Sequence, residues 1–169
     1  MLTVYKKQKG FTLIEMLVVI AIIAVIMAVV ITSITRARAA ARDVERTTVA
    51  NQIVLALEQY REKRGAYPVS DNEGCGGWDT PGDGDFISVL KTEGFLANSV
   101  KDPQADGDCG NFRYYQYPAG MYGCAAANFY VLGIVDLEKS EGPLKDSPGW
   151  ACGSRDWQTE MEWATGRYQ

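Results

Sequence analysis

The sequence predicts an α+β fold: a long N-terminal α-helix, half transmembrane and half amphipathic, packed on a small antiparallel β-sheet head. Three observations carry that expectation. An apolar run starting at Phe11 passes into an amphipathic stretch with no proline or glycine before Arg64. Past residue 65 the chain turns rich in Gly, Asp and Asn, and its aromatic, β-branched segments are bounded by Gly and Pro. All four cysteines lie in that second, polar part.

The helix divides into halves at 11–35 and 36–64, followed by the head at 65–169. Phe11 to Ile31 is apolar except for Thr12 and Glu15. A helix of that length spans roughly 30 Å, the thickness of a bilayer core. In the second half Ala50, Ile53, Val54, Leu57 and Tyr60 or Arg61 recur at i, i+3, i+4 and i+7, which marks a face that packs on the head. Arg64-Gly65, with Pro68 three residues later, reads as a C-cap and stop.

In the head, "DFISVLKTEGFLANSVKDP" predicts a short helix, a turn and an extended exit. "NFRYYQYPAG" and "NFYVLGIVDLE" read as strands, and "WQTEMEWATG" as a further strand or short helix. The Tyr and Trp residues read as core and sheet-face packing rather than an adhesive surface patch.

Composition narrows the function. Of 169 residues, 17 are basic and 21 acidic, for a net charge of −4, and the first ten carry Lys6, Lys7 and Lys9 without an acid. The remaining chain is more acidic still, which argues against nucleic acid as a partner. The chain has no histidine, and it lacks nucleophile motifs such as G-x-S-x-G, so a tethered hydrolase is disfavoured. Four cysteines beyond a membrane segment predict two disulfides in an oxidising compartment. Of three connectivities, Cys109–Cys124 with Cys75–Cys152 is preferred, because the first pair flanks a plausible hairpin. Asp79, Asp83 and Asp85 in the "DTPGDGDF" loop are candidate calcium ligands, although the EF-hand spacing is absent and solvated acidic loops are commoner.

Glu15 is the residue that a plain anchor leaves unexplained. A carboxylate costs about 2.5–3.5 kcal/mol at the centre of a membrane helix and less near its end. A secretory signal does not fit, because the apolar run is too long and no A-x-A site follows. Cutting the chain after Gly10 would create an α-amine at Phe11, one helical turn from Glu15.

"KGFTLIEMLVVIAIIAVI" resembles the class III signal of type IV pilins and type II secretion pseudopilins: basic residues, Gly10, an aromatic Phe11, Glu15 and an unbroken apolar run in order. The spaced Tyr67-Pro68, Gly94-Phe95-Leu96 and Asp102-Pro103 resemble the major pseudopilin. The resemblance implies a pilin-like fold and a leader at 1–10 that a prepilin peptidase removes after Gly10. It further implies N-methylation of Phe11, and pairing of Glu15 with a neighbour's amine as subunits join a homo-oligomeric filament. An inner-membrane assembly platform is the implied partner. The implied location is the inner membrane, single-pass with the head outside the cytoplasm, and then a filament in the periplasm or at the cell surface. No cofactor is implied beyond the candidate calcium. The alternative is a single-pass anchored module whose head binds calcium, a glycan or a partner protein.

Overall fold

The computed structural model describes residues 10–71, 74–82, 84, 86–104, 109–140 and 142–169. Helix α1 runs from Leu13 to Arg64. Two compact units divide the chain, Met1–Arg38 and Ala39–Gln169.

In the first unit, the described residues form the start of α1. Apolar side chains cover its whole circumference and stay exposed, from Leu13 at 83% to Ile34 at 45%. Among the described residues, α1 is the one helix long and apolar enough to cross a membrane. Thr32 and Thr35 turn their hydroxyls back to the Val29 and Thr32 carbonyls, at 2.9 and 3.0 Å. Neither hydroxyl therefore needs an outside partner.

In the second unit, α1 buries Arg46, Ala50, Ile53, Ala56 and Leu57. Their spacing puts them on one face, as the apolar periodicity required. The helix ends where the sequence placed its stop: Gly65 takes φ +79° and donates its N–H to the Arg61 carbonyl at 2.7 Å. A residue without Cβ adopts that left-handed conformation at no steric cost. Arg61, Lys63 and Arg64 in the last turn complement the negative end of the helix dipole.

Helix α2 (Ser88–Thr92) matches the predicted short helix. Among the described residues five strands follow: β1 (Phe112–Tyr117), β2 (Phe129–Ile134), the two-residue β3 (Ala151–Cys152) and β4 (Arg155–Asp156), and β5 (Trp163–Tyr168). Strands β1, β2 and β5 form an antiparallel sheet in the order β1-β2-β5, and β3 pairs with β4. The third predicted segment resolves into a 3₁₀ turn at Trp157–Thr159 and then β5.

Strand alternation sorts the aromatic residues onto two faces. Phe112, Tyr114, Tyr130, Leu132, Ile134 and Trp163 pack with Ala50, Ile53 and Leu57 of α1. Tyr117, Phe129, Val131 and Ala164 face the other way, under Trp157 and Met161. With both faces covered, β2 is buried at every position. Each fully buried Ile or Leu contributes about 1.5–3 kcal/mol of transfer free energy. Gly166 marks where the second cover lies closest: a Cβ there would come within 2.5 Å of the Trp150 ring and 2.6 Å of the Tyr130 carbonyl oxygen.

The disulfides are Cys75–Cys109 and Cys124–Cys152, with Cα separations of 5.5 and 4.9 Å. This corrects the expected Cys109–Cys124 and Cys75–Cys152. The reason is geometric. Strand β1 lies between Cys109 and Cys124, so these two residues sit at opposite ends of an extended segment roughly 20 Å long. A disulfide needs Cα atoms within about 7 Å. The hairpin is real, but Cys109 and Cys124 flank its first strand and not its two ends. Cys75 reaches Cys109 because its loop runs beside β1, where Asp79 and Tyr114 exchange backbone hydrogen bonds of 3.0 and 3.1 Å. Cys152 reaches Cys124 because the β3–β4 turn meets the Tyr122 turn, Ser154 donating to the Tyr122 carbonyl at 3.0 Å.

Candidate functional site

Gly10, Phe11 and Thr12 lie ahead of the helix without regular structure, and all three are exposed. Phe11 is 82% exposed, and nothing approaches within 4 Å of where a Gly10 Cβ would sit. Gly10 and Phe11 are therefore exposed to solvent among the described residues. Lys6, Lys7 and Lys9, with the rest of 1–9, lie outside the described residues.

Helix α1 starts abruptly because Thr12 and Glu15 close a capping box. Thr12 donates its N–H and its hydroxyl to Oε2 of Glu15, each at 2.7 Å, and the Glu15 N–H donates to the Thr12 hydroxyl oxygen at 3.3 Å. The box satisfies two backbone N–H groups that the helix start leaves without an intrahelical partner, and it fixes Glu15 in the first turn. The sequence carries the signal openly as T-x-x-E before an apolar run. Reading Glu15 only as a charge overlooks Thr12, which the structure adds to the site.

An exposed Gly10–Phe11 bond, a capped carboxylate and a long exposed apolar helix thus follow each other in order. Residues 5–31 match the family model of the prokaryotic N-terminal methylation motif. The chain carries a class III signal. This signal is typical of type IV pilins and pseudopilins. It fits a membrane-anchored structural subunit. The α+β arrangement of α1 and its antiparallel sheet is pilin-like as well. No curated protein and no solved structure matches the chain.

Behind the class III signal, the head is held to α1 by charge. Arg46 is 1% exposed. It meets Asp43 at 2.9 Å, Asp102 at 2.9 Å and Glu138 at 3.1 Å, and Arg42 makes a second pair with Glu138. Asp102 also accepts the Gln104 and Asn111 N–H groups, at 2.9 and 3.1 Å. Burial opposes the Arg46 charge, but hydrogen bonding and attraction from Asp102 and Glu138 outweigh it and hold the guanidinium above its ordinary value. The Arg42 hydrogen bond holds the Glu138 carboxyl below its ordinary value. The apolar stripe read from the sequence begins at Ala50, yet the same helical face continues back through Arg46, four residues earlier.

The resemblance-bearing residues of the head are brackets of this kind. Pro68 accepts the Tyr114 hydroxyl at 2.6 Å, Phe95 stacks edge-on against Tyr60, and Asp102 is the partner of Arg46. On the far face of the sheet, Arg155 lies 4.9 Å from the Tyr122 ring and 5.0 Å from Trp157. Its fork holds both carboxylate oxygens of Glu160, at 2.8 and 2.7 Å. The aromatic residues there pack and brace, as the sequence suggested.

Of the three candidate calcium ligands, Asp79 is 2% exposed and its carboxylate accepts the Ile87 N–H at 3.2 Å. That inward orientation suits a loop brace. Asp83 and Asp85 lie outside the described residues. Among the described residues no group of three or more acidic or cysteine side chains gathers in a metal-holding arrangement.

Proposed function

We propose that the chain is the structural subunit of a type IV pilus-like or type II secretion pseudopilus filament. The class III signal at residues 5–31 is the observation that carries the reading. Residues 1–10 act as the leader, removed by a prepilin peptidase after Gly10. Phe11 becomes the methylated N-terminus, held at the cytoplasmic face of the inner membrane until an assembly platform draws the subunit into the filament. The apolar half of α1 then leaves lipid for a bundle of identical helices.

Glu15 selects the register of that bundle. Thr12 engages one oxygen of the carboxylate, and a carboxylate has acceptor sites for more than one donor. The ammonium group of a neighbouring Phe11 therefore fits beside the capping box. In hydrocarbon an unpaired charge is penalised, so the register that joins each Glu15 to an adjacent amine is favoured over others. The exposure of every large apolar side chain from Phe11 to Ile34 supports this reading.

Glu15→Ala and Glu15→Lys are expected to abolish filaments while the head keeps its fold and disulfides. Shearing filaments from cells and comparing their yield with the membrane-bound pool tests this. Normal filament yield from either variant would remove Glu15 from the assembly step.

A further inference from the structure

The first unit ends on two arginines, Arg36 and Arg38. Both are exposed, and among the described residues no ion pair or hydrogen bond engages either guanidinium. The arginines further along α1 behave differently. Arg42, Arg46, Arg61 and Arg64 each meet a carboxylate, of Glu138, Asp102, Glu58 and Glu93 respectively. Arg36 and Arg38 also lie past the stretch matched by the methylation-motif model, which stops at residue 31.

Their place on the helix says what would meet them. No charged residue separates Glu15 from Arg36, and the rise between the two is roughly 32 Å. A bilayer core is about 30 Å thick, so a helix with Glu15 at one boundary carries Arg36 and Arg38 among the headgroups of the other. Residues two apart project from roughly opposite sides of an α-helix. A protein surface laid along the helix would meet one of the two arginines, whereas a ring of headgroups meets both. Each guanidinium offers five N–H donors in a fork that matches phosphate oxygens.

We propose that Arg36 and Arg38 clamp the phosphates of anionic phospholipids at the outer face of the membrane and so fix the depth of the subunit before assembly; this rests on the membrane-anchored reading above. The charge balance supplies a reason for such a clamp. Before processing, Lys6, Lys7 and Lys9 hold the chain in the orientation that the positive-inside rule favours. Cleavage after Gly10 removes all three and leaves the Phe11 amine close to Glu15. Arg36 and Arg38 are then the unpaired cations beside the span. They stand on the outer side, where positive charge runs against that rule, and lipid phosphate offsets it. Their long stems lie along the apolar helix while the charged heads stay in the interface.

The test uses the full chain in vesicles of equimolar phosphatidylcholine and phosphatidylglycerol, with a trace of phosphatidylglycerol that carries a photoreactive headgroup. Photolysis should place lipid adducts at residues 34–40, on a peptide distinct from the leader. Arg36→Gln/Arg38→Gln should lower that yield by about five-fold per arginine, while labelling of the leader lysines stays constant as an internal reference. Arg36→Lys/Arg38→Lys should keep most of the yield. The same photoreactive group on phosphatidylcholine should label the segment several-fold less, and excess inorganic phosphate should leave the labelling unchanged. Benzoylphenylalanine in place of Ala37, between the two arginines, should crosslink to lipid. Equal labelling of the parent and the glutamine variant, no preference for phosphatidylglycerol, displacement by free phosphate, or a crosslink from position 37 to a second protein chain overturns the clamp. Alkaline carbonate separates this from the reading beneath it: a chain that carbonate strips from the vesicles contradicts the membrane anchor itself, and the clamp falls with it.

Discussion

Thr12 donates both its backbone N–H and its hydroxyl to one oxygen of Glu15, each at 2.7 Å. The cap and the carboxylate proposed to guide assembly are therefore one structure. The capping box sets where α1 begins, leaves the Gly10–Phe11 bond outside the helix, and restricts the rotamer of Glu15. Thr12→Ala removes the hydroxyl and should cost about 1 kcal/mol at the first turn. Amide hydrogen exchange at residues 13–16 should quicken roughly five-fold. Thr12→Ser should behave like the parent, and unchanged exchange in Thr12→Ala would show that the box contributes nothing.

The disulfide pairing gives the head a separate test. Mass spectrometry of a non-reduced digest should recover peptides joining Cys75 to Cys109 and Cys124 to Cys152. Cys124→Ser/Cys152→Ser should lower stability by about 2–4 kcal/mol, read from the urea midpoint. A peptide joining Cys109 to Cys124 would contradict the strand geometry.

Arg46 is the residue on which the charge network converges. Arg46→Ala leaves Asp102 buried without its cation and should cost about 3–5 kcal/mol. Arg46→Met keeps the packing and leaves the same orphaned carboxylate, so it should rescue little. Equal stability of Arg46→Met and the parent, by urea unfolding of the detergent-solubilised chain, would refute the network's role.

Acid should loosen the same region. Arg42 depresses the Glu138 carboxyl, and Arg64 depresses that of Glu93. A folded-state value below the unfolded one stabilises the fold above the unfolded carboxyl range, and this contribution is lost as pH falls through the folded value. The thermal midpoint should therefore drop between about pH 5 and pH 3, the carboxylate range. Glu138→Gln should flatten part of that dependence, and an identical pH profile in Glu138→Gln would count against the pairing.

Most of this architecture is legible in the sequence because it is local. The absence of Pro and Gly gives the helix its length, Gly65 its end, and the β-branched aromatic runs their strands. The class III signal is linear, so Gly10, Phe11 and Glu15 can be read in order. What stays hidden depends on three-dimensional proximity. The cysteine partners depend on β1 lying between Cys109 and Cys124, which spacing alone does not reveal. Arg46 looks like one more base in "RARAAARDVER" until Asp102 and Glu138 close over it. Asp79 reads as a loop acid, yet the fold turns it inward to Ile87. Thr12 was legible and easily passed over, because Glu15 beside it invites a purely electrostatic reading.

The central claim is that the chain is cut after Gly10 and assembles through the helix that follows. The mass of the mature N-terminal peptide tests it most directly. The account predicts a peptide that begins at Phe11 and carries one added methyl group on its amine. An intact N-terminus that retains Met1 and the lysines of the leader would contradict it and leave a plain membrane anchor in its place.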